Sequence, residues 1–210
     1  MTDFRTTSRM IVAAGLLAVA LPLSANAQDA ASAEPGQPYV AETFSDWDLR
    51  CIRAPEEGTP ERCEMFQLMR DEDDNAVSVF RVNVPFNPGE GQVATALIMT
   101  PLETLLAPGI RLRVDDGEEG GLPFTMCDAS GCMARIPMNQ TNVDMFQAGG
   151  DAFIQIFALV RGEAGEIGGV PVPLTASLRG FTAAYEALQA RHEELVAFIR
   201  ERQAEAAAEE

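Results

Sequence analysis

The sequence predicts a mainly β protein, an antiparallel β-sandwich carrying a short helix and a long C-terminal helix. Three observations predict it: about eight short strand-like runs separated by turn clusters, only two stretches of helical periodicity, and four cysteines set beside turn-rich segments. In residues 44–51 the alternation puts Trp47, Leu49 and Cys51 on one face, with Trp47 as a core residue rather than a ligand-stacking platform. Residues 62–69 place Cys63, Met65, Gln67 and Met69 on one side and Phe66 and Leu68 on the other, as in a strand buried on both faces. The acidic run Asp71-Glu72-Asp73-Asp74-Asn75 breaks this strand. Residues 76–84 resume with Val77, Val79 and Arg81 opposite Phe80, Val82 and Val84. Further strands are expected over 93–99, 110–115, 122–126, 132–136 and 153–160.

Two helices interrupt the strands. Thr141 is placed to cap a short one, with Asp144 in its first turn and Gly149 at the position after its end. The second has Ser177 as its expected cap, and Phe181, Ala184, Tyr185, Leu188, Leu195, Val196 and Ile199 recur at spacings of three, four and seven. It is expected to run to about Arg200. Beyond that point Glu-rich residues sit at the wrong end to complement the helix dipole, and the tail is expected to fray.

The chain has 210 residues and a formal charge of −17, and all 15 of its basic residues are arginine. Such an acidic surface repels phosphate backbones, so nucleic acid is excluded as a partner. Residues 1–27 have the form of a signal peptide: Arg5 and Arg9 lead an apolar run, and Ala25-Asn26-Ala27 matches a signal-peptidase site, with Gln28 as the mature start. The apolar run is too short to anchor the chain, and no transmembrane segment is expected after cleavage. Residues 28–43, rich in Ala, Ser, Gly, Pro and Gln at their start, are expected to form a flexible leader. A periplasmic or secreted location makes disulfides the expected state of Cys51, Cys63, Cys127 and Cys132. Of three possible connectivities, proximity favours Cys51–Cys63 and Cys127–Cys132; neither spacing suits zinc or a redox C-x-x-C site.

Catalytic constellations are scarce. Without Lys there is no Ser-Lys dyad, and the only imidazole, His192, lies on the long helix with no Gly-x-Ser-x-Gly elbow anywhere in the chain. Carboxylates for hydrolysis are abundant, but no pair stands out. Asp71-x-Asp73-x-Asn75 begins like a calcium loop and then fails, because Ala76 and Val82 stand where glycine and a bidentate glutamate belong. The triplet Asn139-Gln140-Thr141 fits a glycosylation site without other support. No catalytic residue, metal site or cofactor is therefore expected.

The motifs themselves resemble a known family. Asp46-Trp47-x-x-x-Cys51, the second cysteine followed by Gln67, Pro101-Leu102 ahead of Pro108-Gly109-Ile110, Phe124-x-x-Cys127-x-x-x-Gly131-Cys132, Pro173-Leu174 and Gly180-Phe181-x-x-Ala184-x-x-Ala187-Leu188 occur in the order found in the invasion-associated locus B (IalB) family. The match covers about residues 44–190. It departs at Glu103-Thr104, where the family usually has a glycine after Pro-Leu, and residues 191–210 look like a helical, acidic extension. The resemblance implies an immunoglobulin-like β-sandwich domain over 44–190, export in alphaproteobacteria, no established catalysis and, in pathogenic members, a tie to host-cell entry.

Together these readings predict an exported, disulfide-stabilised, non-catalytic protein-interaction module of the cell envelope. The alternative is a periplasmic small-ligand or divalent-cation binding protein with its ligands in the acidic hairpins. The partner would be an unidentified envelope or extracellular protein, or a second copy of the chain. Leu195, Val196, Phe198 and Ile199 continue the helix's apolar surface past the core and form the candidate partner-binding face.

Overall fold

The computed structural model describes residues 32–208, so the signal peptide and its cleavage point before Gln28 lie outside the described residues. Eleven strands form two antiparallel sheets. The large one begins as a meander of β1 (Pro38–Phe44), β2 (Trp47–Ile52), β3 (Cys63–Arg70), β4 (Ala76–Asn83) and β5 (Ala94–Thr100). The chain then crosses to the small sheet for β6 (Ile110–Val114) and β7 (Gly120–Leu122), and returns as β8 (Met126–Asp128) and β9 (Gly131–Met138), which extend the large sheet beyond β5. Helix α1 (Gln140–Ala148) leads to β10 (Asp151–Arg161) and β11 (Ile167–Ser177), which complete the small sheet in the order β11-β10-β6-β7. Helix α2 (Phe181–Ala208) closes the described chain and packs on β1, β2, β3 and α1.

The period-2 patterns resolve as inward and outward faces. Trp47, Leu49 and Cys51 on β2, Met65, Gln67 and Met69 on β3, and Ser78, Phe80 and Val82 on β4 are all buried. They share one core with Ile154 and Ile156 of β10 and Leu174 and Ala176 of β11. Four aromatic rings close a circuit at its centre. Trp47 meets Phe80 edge-on at 5.6 Å and Phe181 at 5.4 Å, while Phe146 of α1 meets Phe80 at 5.8 Å and Phe181 at 5.5 Å. Both helices thus contribute rings to the space between the sheets. Cys51 bonds Cys63 and Cys127 bonds Cys132, each pair directly opposed across its ladder with a Cα–Cα distance of 4.0 Å.

Where β11 passes into α2, buried polar groups set the geometry. The carbonyl of Ser177 accepts both the Trp47 indole N–H at 2.8 Å and the Gln67 amide at 3.0 Å, and Gln67 also donates to the Asp46 carbonyl at 2.9 Å. Arg179 grips the Asp46 carboxylate through Nε at 2.9 Å and Nη2 at 2.8 Å. The Ser177 hydroxyl is the main reason the Asp46 carboxyl lies below its ordinary range; burial opposes it, and this arginine adds to the lowering. Gly180 follows with φ +86°, and a Cβ there would sit 2.0 Å from the Phe44 carbonyl oxygen.

Several sequence expectations need correction. The leader expected over 28–43 is overrun by β1, which pairs with β2 from Pro38 onward as an edge strand with a bulge at Ala41. β3 is buried on one face only; Leu68 is 40% exposed on the other. The strand expected over 122–126 is a crossing, with Leu122 in one sheet and Met126 in the other. β11 went unread because Gly168, Gly169, Pro171 and Pro173 break a strand pattern; it is tolerated as the edge of the small sheet, where proline's missing N–H can face outward. The α1 cap is Asn139, in a reciprocal box with Asn142, rather than Thr141. Gly149 is extended there, and is required because a Cβ would come within 2.4 Å of Val114. Ser177 ends β11 and precedes α2 rather than capping it, and the helix continues through the tail expected to fray, as far as Ala208.

Two stability outcomes follow from this packing. Loop-closure entropy predicts a loss of about 3 kcal/mol when Cys51 and Cys63 are both replaced by Ala and about 2 kcal/mol for Cys127 and Cys132, measured by urea unfolding. In the same assay Gln67→Leu is expected to lose about 1–3 kcal/mol by removing the amide donor from the Asp46 carbonyl and one of the two donors from the Ser177 carbonyl, and Gly180→Ala more than about 1 kcal/mol. Wild-type stability in either of the last two would contradict the junction described.

Candidate functional site

The principal cavity, about 470 Å³, opens where the outer face of the large sheet meets α2. Its floor comes from outward positions of neighbouring strands: Arg50 on β2, Glu64 on β3, Arg81 and Asn83 on β4, and Arg135 on β9. Register brings these together. Arg50 pairs with Glu64 across β2 and β3, while Arg81 and Arg135 both pair with Leu97, one on either side of it. The rim adds Arg62 from the β2–β3 connection and Phe86 from the β4–β5 connection, and α2 supplies Leu188, His192 and Leu195 as the apolar wall. Those three share one helix face at spacings of four and three.

Aromatic rings position two of the guanidinium groups. Arg50 lies over the Phe66 ring at 3.2 Å and Arg62 over Phe86 at 5.2 Å. The ion pairs are long, 3.4 Å for Arg50–Asp48 and for Arg81–Glu64, and pairs so exposed contribute little. Nε of Arg50 and Nε of Arg81 are buried without a hydrogen-bond partner, and Arg135 has no hydrogen bond or ion pair among the described residues. Glu61 at the edge is bound elsewhere. Burial alone would raise its pKa, yet the Tyr39 hydroxyl, the Ala54 N–H and the Arg53 guanidinium outweigh that and hold it low.

His192 packs against Phe86 with the two rings tilted by 51° and their centroids 4.9 Å apart. Burial lowers its pKa and the nearby Glu193 only partly opposes this, so the imidazole is neutral at pH 7. The residues expected as a partner-binding face are split. Leu195 lines the cavity, while Val196, Phe198 and Ile199 are half-buried along the helix beyond the last core residue, Leu188. The four cysteines lie in the two ladder disulfides, and Cys63 also borders the cavity.

The acidic loops are structural. The Asp71 carboxylate accepts from the backbone of Asp73 and Asn75 and from the Asn75 amide, closing its own turn. The Asp115 carboxylate accepts from Gly150 and Asp151 and ties β6 to the start of β10. Among the described residues no group of three or more His, Cys, Asp or Glu is placed to hold a metal ion. No helix among them is long and apolar enough to cross a membrane.

The family model for the invasion associated locus B (IalB) protein matches residues 47–189. The chain belongs to the IalB family. It is 30% identical over 180 residues to the invasion protein B homologs of two Brucella abortus strains, covering 85% of this chain and 95% of theirs. The crystal structure of invasion associated protein B from Bartonella henselae aligns at a TM-score of 0.52 and 20% identity, covering 72% of this chain and 97% of that one, which establishes a shared fold. The IalB match ends at Gln189, one residue past Leu188, so the helix face that walls the cavity from His192 onward lies outside it. Sequence reading missed the cavity's arginines. Arg50, Arg81 and Arg135 each stand on a strand facing out, and only the strand register brings them together.

A pH dependence follows from His192. Its pKa is lower in the folded chain than its ordinary 6.5, so the unfolded chain takes up the proton first. Stability is complete above about pH 6.5 and falls as the pH drops through the folded value. Thermal melts between pH 7.5 and 5.5, where the carboxylates remain ionised, are expected to show this fall and to lose it in His192→Leu. An unchanged slope in the variant would remove His192 as its source.

Proposed function

We propose that this IalB-family chain is an exported, non-catalytic protein of the bacterial cell envelope, periplasmic or secreted, that acts as a protein-interaction module. The observation that carries the reading is the helix face of Leu195, Val196, Phe198 and Ile199, which stays half-exposed after the helix has left the core at Leu188. An amphipathic helix with an unfilled apolar stripe is suited to a groove on another protein or on a second copy of the chain. The disulfide pairs and the export signal read from residues 1–27 fit an oxidising compartment. The Brucella and Bartonella relatives are named invasion proteins, and a host-invasion role extends to this chain only by that kinship.

The small-ligand alternative is favoured by the arginine-lined cavity. Its divalent-cation form is not, since the Asp71 and Asp115 carboxylates are bonded into their own loops.

The test is site-specific photo-crosslinking in the native envelope, with the reactive residue at Phe198 and, as control, at Val170 on β11. A discrete adduct at Phe198 that disappears in Leu195→Glu/Ile199→Glu and is absent at Val170 is the expected result. If the Phe198 adducts are no more discrete than those at Val170, or persist in the double variant, the helix is not the recognition element.

A further inference from the structure

We infer that the cavity beneath α2 is a binding site for a small organic oxyanion, an anionic head carried on an apolar body. The inference does not rest on the interaction reading: it concerns the sheet face and the cavity wall of the helix, which share only Leu195 with the helix's free stripe.

The charge distribution is the first observation. In a chain of net charge −17, four of the 15 arginines line one cavity, against two glutamates. Clustering like charges on a partly buried surface costs free energy, and a concave site focuses the resulting positive potential. One of the two glutamates, Glu61, is taken up by Tyr39, Arg53 and Ala54, and the other, Glu64, reaches only Arg81. With Arg50 paired to Asp48 and Arg81 to Glu64, both at 3.4 Å, the positive charge left without a carboxylate partner among the described residues is that of Arg62 and Arg135.

Unused donor capacity is the second. Each guanidinium carries five N–H donors in a planar fork suited to two oxygens of a carboxylate or phosphate. Arg135 donates to no described residue, Arg62 has only the Phe86 ring, and the Nε groups of Arg50 and Arg81 are buried and unbonded. An unbonded buried polar atom is uncommon, and the two Nε groups coincide in one cavity with the exposed, unpaired donors of Arg62 and Arg135.

The third observation is the opposite wall. Leu188 and Leu195 of α2 form this wall, and Ile52, Val84 and Phe86 add apolar surface to the same cavity on the sheet side, with His192 held neutral beside Phe86. A bare inorganic anion would leave that wall in contact with water. A ligand with an apolar body covers it and presents its oxyanion to the arginines, the usual composition of a small-molecule site.

The test uses isothermal titration of the purified, disulfide-intact protein at low salt with three probes: 4-phenylbutyrate, its uncharged amide, and inorganic phosphate. Arg62→Gln/Arg135→Gln removes two exposed cavity arginines that make no structural ion pair, so the variant is expected to fold; Arg111→Gln, paired with Glu119 on the small sheet, is the control. Saturable 1:1 binding of 4-phenylbutyrate, weakened about tenfold in the amide and in the double variant but not in Arg111→Gln, is the expected result. Phosphate binding as tight as phenylbutyrate, with the same dependence on the arginines, would keep the oxyanion site and overturn the apolar body. Absence of saturable binding by either anion, equal binding of the amide, or indifference to the double variant would overturn the site.

Discussion

Much of this molecule depends on a single backbone oxygen. The Ser177 carbonyl, at the last residue of the small sheet's edge strand, receives hydrogen bonds from Trp47 and Gln67 of the large sheet. Both donors are buried, so leaving either unpaired would cost its full desolvation. That requirement holds the end of β11 against β2 and β3. The following residues are then constrained in sequence: Arg179 to the Asp46 carboxylate, Gly180 beneath the Phe44 carbonyl, and Phe181 into the aromatic circuit. The position from which α2 starts is thus set by the sheet, and with it the wall of the cavity.

The family motifs acquire a physical meaning here. Asp46-Trp47, Gln67 and Gly180-Phe181 lie far apart in the chain, and every one of them is a member of this junction. What identifies an IalB-family sequence is therefore largely a packing solution, the means by which two sheets and a helix are joined. The arginines of the cavity are named in none of those motifs, although all four lie within the matched residues 47–189.

The legibility of the sequence divides along the same physical line. Strands with one buried and one outward face declare themselves by alternation, which is why Trp47-Leu49-Cys51 and Phe80-Val82 could be read directly. Edge strands did not. β1 and β11 pair on one side only and tolerate Gly and Pro, so their patterns are blurred by the relaxed demand on their outer edges. The helix tail was misjudged for a different reason. Its acidic residues do oppose the dipole, but alanine's high propensity and the Arg202–Glu205 pair sustain the helix to Ala208. The cavity was illegible in principle, because Arg50, Arg81 and Arg135 come together only through a register that spans five strands. Local pattern carries no such information.

Placing this cavity on a sheet rather than on loops has an energetic consequence. The strand backbones of Arg50, Arg81 and Arg135 are fixed by ladder hydrogen bonds, and Phe66 holds the Arg50 guanidinium from beneath, so binding need not order the backbone or Arg50, while the exposed Arg135 side chain still has its freedom to lose. The opposite wall differs in kind. Leu188 is part of the core, but Leu195 lies two turns further along a helix whose final residues are wholly exposed. Leu195 faces the cavity and also belongs to the stripe of Val196, Phe198 and Ile199. A body filling the cavity and a partner covering the stripe therefore act on the same two turns of α2, and whatever free energy one spends in ordering those turns the other need not spend again.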